Sequence, residues 1–102
     1  MERKSFIQNL REKHPHIRTH EEDDWDWWIK GKEMLSNGNI DNAKKIFEEL
    51  IVAEPEHHDG YEGLAEVYYE LGEKDTALFC INQAYEIAMG FYKEDTLDIE
   101  VL

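Results

Sequence analysis

Five histidines are the side chains with the most obvious chemical potential, and three of them stand close together: His14, His16 and His20 in "HPHIRTH", with His57 and His58 further on. Imidazoles at such spacing suggest zinc, and His16 and His20 are spaced to share a helical face, but Pro15 and the cap at Thr19 argue against a helix across them. No ligand set with a metal family's spacing follows. A solvated loop is the better reading of the first three, and a structural role at a helix start is the better reading of the pair. No metal is expected. Carboxylates are abundant, yet Glu48-Glu49 and Glu21 to Asp24 read as solvated helix surface rather than as an acid/base pair. The sequence shows no phosphate loop, nucleophile elbow or dinucleotide fingerprint. Cys80, the single cysteine, adjoins Ile81 in an apolar pattern, which suits a buried thiol rather than a reactive one. Neither catalysis nor a cofactor is expected.

The residues left to explain are aromatic. "THEEDDWDWWIKG", residues 19–31, gathers all three tryptophans behind four consecutive acids. At about 100° per residue, Trp25 and Trp28 share a helical face and Trp27 points elsewhere. Whatever they do depends on the elements around them. Thr19 and Glu22 match a capping box, after which a helical pattern runs from about 21 to 37 and stops at Asn37-Gly38-Asn39. Ala43, Ile46, Phe47, Leu50 and Ile51 make an amphipathic helix over about 40–54, opened by Asn39 and Asp41 as local caps and interrupted by Glu54-Pro55. A third helix begins near there and ends at Gly72; a fourth covers about 74–90, to Gly90. Residues 3–13, with Phe6, Ile7 and Leu10, suit a short amphipathic helix ahead of Pro15.

The two central halves superpose at an offset of 34: Trp27 on Tyr61, Met34 on Tyr68, Gly38 on Gly72, Ala43 on Ala77 and Phe47 on Ile81. Several matches at one offset mark an internal repeat. The chain here resembles the tetratricopeptide repeat family. Its helix–turn–helix unit appears once over about 24–57, with Trp27, Gly31, Met34, Gly38, Ala43, Phe47 and Pro55. It appears again over about 58–91, with Tyr61, Leu64, Ala65, Tyr68, Gly72, Ala77, Ile81 and Ala84. The departures are Lys30, Ala65 and Met89, where the pattern has Leu, Gly and Pro. Physical logic agrees with the spacing. Gly31, Ala65, Ala43 and Ala77 are small enough for helices to cross closely, while Phe47, Tyr68 and Ile81 fill the gaps beside them.

The expected fold is therefore all-α, an antiparallel helix–turn–helix α-solenoid with short terminal helices. Residues 1–20 form a basic N-terminal arm or short helix, 21–91 two repeats, and 92–102 a C-terminal capping segment or tail. That last segment stays ambiguous. Leu97, Ile99 and Val101 alternate like a strand, whereas Leu97 and Val101 also share a helical face, and a further repeat could start there.

What the resemblance implies is a non-catalytic protein–protein interaction module, with the first helix of each pair lining a concave groove. Carried over position by position, Trp25, Trp28, Ile29, Lys32 and Leu35 line it from the first copy, and Asp59, Glu62, Glu66, Tyr69 and Glu70 from the second. Trp27 takes the family's packing position. The partner-binding set is Trp25, Trp28, Lys32, Glu62, Glu66 and Tyr69, suited to a peptide or helix with apolar and basic side chains. Two uncertainties follow. The tryptophans either face an open groove or lie beneath Phe6, Ile7 and Leu10, and the alternative function is a homo-oligomer that stacks through its repeat ends. The clamp by which some members grip chaperone C-termini is not reproduced, because its positions hold Trp28, Lys32 and Gly63.

Charge restricts the partners. Net charge is −13, with five Lys/Arg against two acids in residues 1–20 and six against twenty-two in the remainder. So acidic a body repels nucleic acid and anionic membranes. The basic arm could fold back onto it. One cysteine, no membrane span and no secretory signal fit a cytoplasmic protein.

Overall fold

The computed structural model describes residues 2–19 and 25–90, with Trp25 described in its backbone alone. Five helices follow in order: α1 (Arg3–Lys13), α2 (Trp25–Ser36), α3 (Ile40–Ala53), α4 (Asp59–Glu70) and α5 (Lys74–Ala88). No strand occurs among the described residues. The fold is all-α, with α2–α3 and α4–α5 as consecutive antiparallel hairpins.

Both hairpins turn in the same way. Gly38 has φ 81° and Gly72 has φ 79°, a left-handed conformation that a side chain would strain. Around Gly38 the amides of Gly38 and Asn39 donate to Leu35 O and Met34 O at 3.1 and 2.8 Å. Around Gly72 those of Gly72 and Glu73 donate to Tyr69 O and Tyr68 O at 3.0 and 2.9 Å. Each is a Schellman close, satisfying carbonyls that a helix end leaves orphaned. The link between hairpins differs. Glu54 has φ −132° because the residue before proline avoids the α region, and His57 N donates to Glu54 O across the turn. As a result α4 starts at Asp59, later than its periodicity predicts.

The hairpins nest on Phe47. Its ring is fully buried between α2 and α4, and a Cβ added at Gly31 would lie 2.6 Å from it, one at Gly63 2.3 Å. Neither glycine can become alanine unless the ring moves. Ile51 packs likewise under Gly60, where a Cβ would meet it at 2.7 Å. Tyr61, Leu64 and Val67 from α4 and Ala43 and Leu50 from α3 complete the same core. Trp27 packs against this core half-buried, in keeping with a scaffold position. Ile81, predicted to fill the gap matching that of Phe47, is instead exposed, because among the described residues no further helix lies on that side of α5.

α1 crosses the opposite side. It packs on α3, and its Phe6 ring lies 6.0 Å from Tyr61 of α4 and 5.1 Å from Phe79 of α5. Arg3 donates to Gln83, and its guanidinium meets Glu86 at 2.5 Å. Phe6, Ile7 and Leu10 are thereby buried, and α1 joins the two hairpins from behind. Thr19 donates its hydroxyl to Val52 O at 3.0 Å. Its expected capping partner Glu22, His20, the acidic run and the start of the helix predicted from 21 lie outside the described residues, as does the segment 91–102. Asn39 holds the N-cap position of α3 without a capping bond from its side chain.

Candidate functional site

The α4 residues Glu62, Glu66, Tyr69 and Glu70 recur at spacings of four, three and one, which brings them to one side of the helix. With Leu35 from α2 and Lys74, Ala77, Leu78 and Ile81 from α5, they line a groove of about 740 Å³. Tyr69 is exposed there. A smaller depression of about 390 Å³ lies on α2, lined by Trp28, Ile29 and Lys32 among others. One ion pair links the two linings. Lys32 Nζ donates to both carboxylate oxygens of Glu66 at 2.6 and 2.5 Å, and the same ammonium stands 5.5 Å from the centre of the Trp28 ring.

Of the six residues assigned to partner binding, Glu62, Glu66 and Tyr69 share the larger groove, and Trp28 and Lys32 share the depression beside it. The Trp25 side chain lies outside the described residues. Trp28 is half-buried against the core and so offers one side to a partner rather than a whole ring. Asp59 does not reach the groove. It sits at the α4 start, 3.3 Å from His58 Nδ1. Sequence reasoning missed the α5 wall altogether, since it placed the groove on first helices alone.

Electrostatically the groove carries unspent negative charge. Glu66 is answered by Lys32, and Glu62 touches His58 Nδ1 one turn back. Among the described residues Glu70 has no ion-pair partner. His58, Asp59 and Glu62 bring one ligand atom each within 4.8 Å of one another, the one place among the described residues where a metal ion could be held. Their mutual contacts at a half-buried helix start account for the arrangement without one.

On the other side two expectations are corrected. His14, expected in a solvated loop, is buried, with Nε2 3.0 Å from Glu48 Oε1. Glu48, expected on a solvated helix surface, is buried too, and Lys13 Nζ donates to both of its oxygens at 3.0 Å. His14 and His16 also stand 3.8 and 3.7 Å from Glu49, which is itself largely covered. The cause is the docking of α1, whose basic last turn runs over the acidic stretch of α3. Helical periodicity cannot reveal that, because it treats each helix as facing one core and one solvent.

Two further groups are perturbed by their surroundings. Burial pushes the Cys80 thiol up to about 12, so it stays protonated and poorly nucleophilic at neutral pH. Tyr68 is raised to about 12, first by burial and then by the charge of Glu48, while Lys44 stands 5.4 Å from its ring centre. Neither faces the groove.

Among the described residues no helix is long and apolar enough to cross a membrane. Comparison with curated proteins and with solved structures finds no match. A comparison with protein families does find one: the tetratricopeptide repeat model matches residues 34–88.

Proposed function

The chain belongs to the tetratricopeptide repeat family, a family of protein-interaction scaffolds, and from that premise we propose that it is a non-catalytic module holding a peptide or helix rich in apolar and basic side chains. Trp25, Trp28, Lys32, Glu62, Glu66 and Tyr69 are its contact residues, with Leu35 and Glu70 beside them. The observation that carries this reading is the groove of about 740 Å³, where Tyr69 and Leu35 offer apolar area beside Glu62, Glu66 and Glu70. α1 leaves it open by docking elsewhere. Exposed aromatic area supplies hot-spot contact, and carboxylates steer and pair with cations. Rigid hairpins hold these groups in fixed relation, so little ordering cost falls on the protein side. A single buried thiol accords with a reducing compartment, and the module is assigned to the cytoplasm on that ground.

Titration calorimetry with a peptide alternating leucine and arginine, against its leucine–glutamate counterpart, tests the proposal. The basic peptide binds at least about tenfold more tightly, and more weakly as salt is added. Tyr69→Ala weakens it without lowering the melting temperature. Equal affinity for the two peptides, or none for either, overturns the reading.

A further inference from the structure

Lys32 and Glu66 stand 34 residues apart, so their ion pair joins the same repeat position on α2 and α4. One turn to either side of that pair, the counterpart of Glu62 is Trp28 and the counterpart of Glu70 is Ser36. Three carboxylates therefore run down α4, one per turn, and only the middle one has a cation as its α2 counterpart. The Lys32 ammonium is held twice. It donates to both oxygens of Glu66 at 2.6 and 2.5 Å, and it stands 5.5 Å from the centre of the Trp28 ring. Glu62 has only His58, one turn back on its own helix. Among the described residues no ion pair reaches Glu70, although Lys74 lines the groove from α5. Leu35 and Tyr69, again 34 apart, offer apolar area beside the middle carboxylate.

Resting on that groove as the binding site, we propose that its ligand is an extended peptide segment with cations at two positions four residues apart and an apolar side chain midway, and that Lys32 is the residue that excludes a third cation. Distance sets the spacing. Glu62 and Glu70 are eight helical residues apart, about 12 Å along α4. An extended chain rises about 3.3 Å per residue, so four residues span about 13 Å, and its first, third and fifth side chains face the same way. The two end cations then reach Glu62 and Glu70. The midpoint meets Glu66, whose charge Lys32 already neutralises. A cation there is driven against the Lys32 ammonium with no free carboxylate to gain, whereas an apolar side chain finds Leu35 and Tyr69. Lys32 thus supplies a repulsion that a uniformly acidic groove lacks, and more positive charge on the ligand does not mean tighter binding.

Fluorescence anisotropy at low salt, with the full chain and dye-labelled synthetic peptides in identical glycine–serine flanks, provides the test. Arg-Ser-Leu-Ser-Arg is expected to bind about threefold more tightly than Arg-Ser-Arg-Ser-Arg, the reverse of the order that net charge alone gives. Lys32→Met inverts the order, because Glu66 is then free to take the middle arginine. Glu66→Gln widens the gap instead, and circular dichroism checks that both variants keep the helicity of the parent. A peptide with its arginines eight residues apart, the spacing a helical ligand needs, binds more weakly than Arg-Ser-Leu-Ser-Arg. Tighter binding of the triple-arginine or the eight-residue peptide to the parent, or an order unchanged in Lys32→Met, overturns the proposal and leaves the groove reading standing. Binding of none of the peptides removes both.

Discussion

Behind the stack, Glu48 is met by Lys13 and His14 and Glu86 by Arg3, every partner supplied from α1 or the residue after it. In front, Lys32 answers Glu66, while Glu62 has only His58 and Glu70 has no ion-pair partner among the described residues. Both sides are acidic, and the chain has few cations to distribute. It places Lys13 where Glu48 is buried, since an unpaired buried charge costs several kcal/mol and an exposed one costs little. The surplus acid in the groove is tolerable because water reaches it. The same exposure leaves it available to the cations of a partner.

Experiments can break this contrast, beginning with the seam on which both sides depend. Phe47→Ala empties the space between Gly31 and Gly63 and is expected to cost about 3–5 kcal/mol in urea unfolding. Next, Glu48→Ala leaves His14 Nε2 without its partner in a buried site and should cost about 2–3 kcal/mol, with hydrogen exchange in α1 rising first. The matched change in front, Glu70→Gln, should leave stability within about 0.5 kcal/mol while weakening the arginine-bearing peptide. If the front substitution destabilises as much as the rear one, the division between a structural and a receptive side fails.

A weaker effect appears on raising the pH. Cys80 titrates near 9.0 when free of burial and at about 12 in the fold, and Tyr68 moves from 10.0 to about 12. Both are neutral acids that the fold keeps protonated. Their contribution is fully present below pH 9 and is lost as the pH rises to 12, because the unfolded chain releases the protons first. Stability measured between pH 9 and 12 should therefore fall, and less steeply in Cys80→Ala. The smallest change belongs to Lys32→Met. It removes a partly exposed ion pair worth about 0.5 kcal/mol at low salt, and the difference from the parent shrinks as salt is added.

Much of this arrangement was legible in the sequence. Gly38 and Gly72 mark equivalent bends, since only glycine takes the left-handed turn cheaply, and Phe6, Ile7 and Leu10 mark α1 by their spacing. Gly60 and Gly63 were not legible as contact points. A glycine inside a helix leaves no trace in apolar periodicity, and its use shows only once Ile51 and Phe47 are seen beneath it. Glu48 and His14 escaped for a related reason: their burial depends on where a separate helix lands. The groove was half legible. Repeat register located Glu62, Glu66 and Tyr69, but the wall formed by Leu78 and Ile81 exists because the surface of α5 is open among the described residues.

The ring of Phe47, held between two glycines on different helices, couples three positions in evolutionary time. A larger residue at Gly31 or Gly63 is admissible only after the ring has shrunk, and a smaller residue at 47 leaves a void until a glycine has grown. Drift along this seam must therefore proceed by compensated steps, such as Phe47→Leu together with Gly63→Ala, and homologous chains that differ at one of the three positions should differ at another.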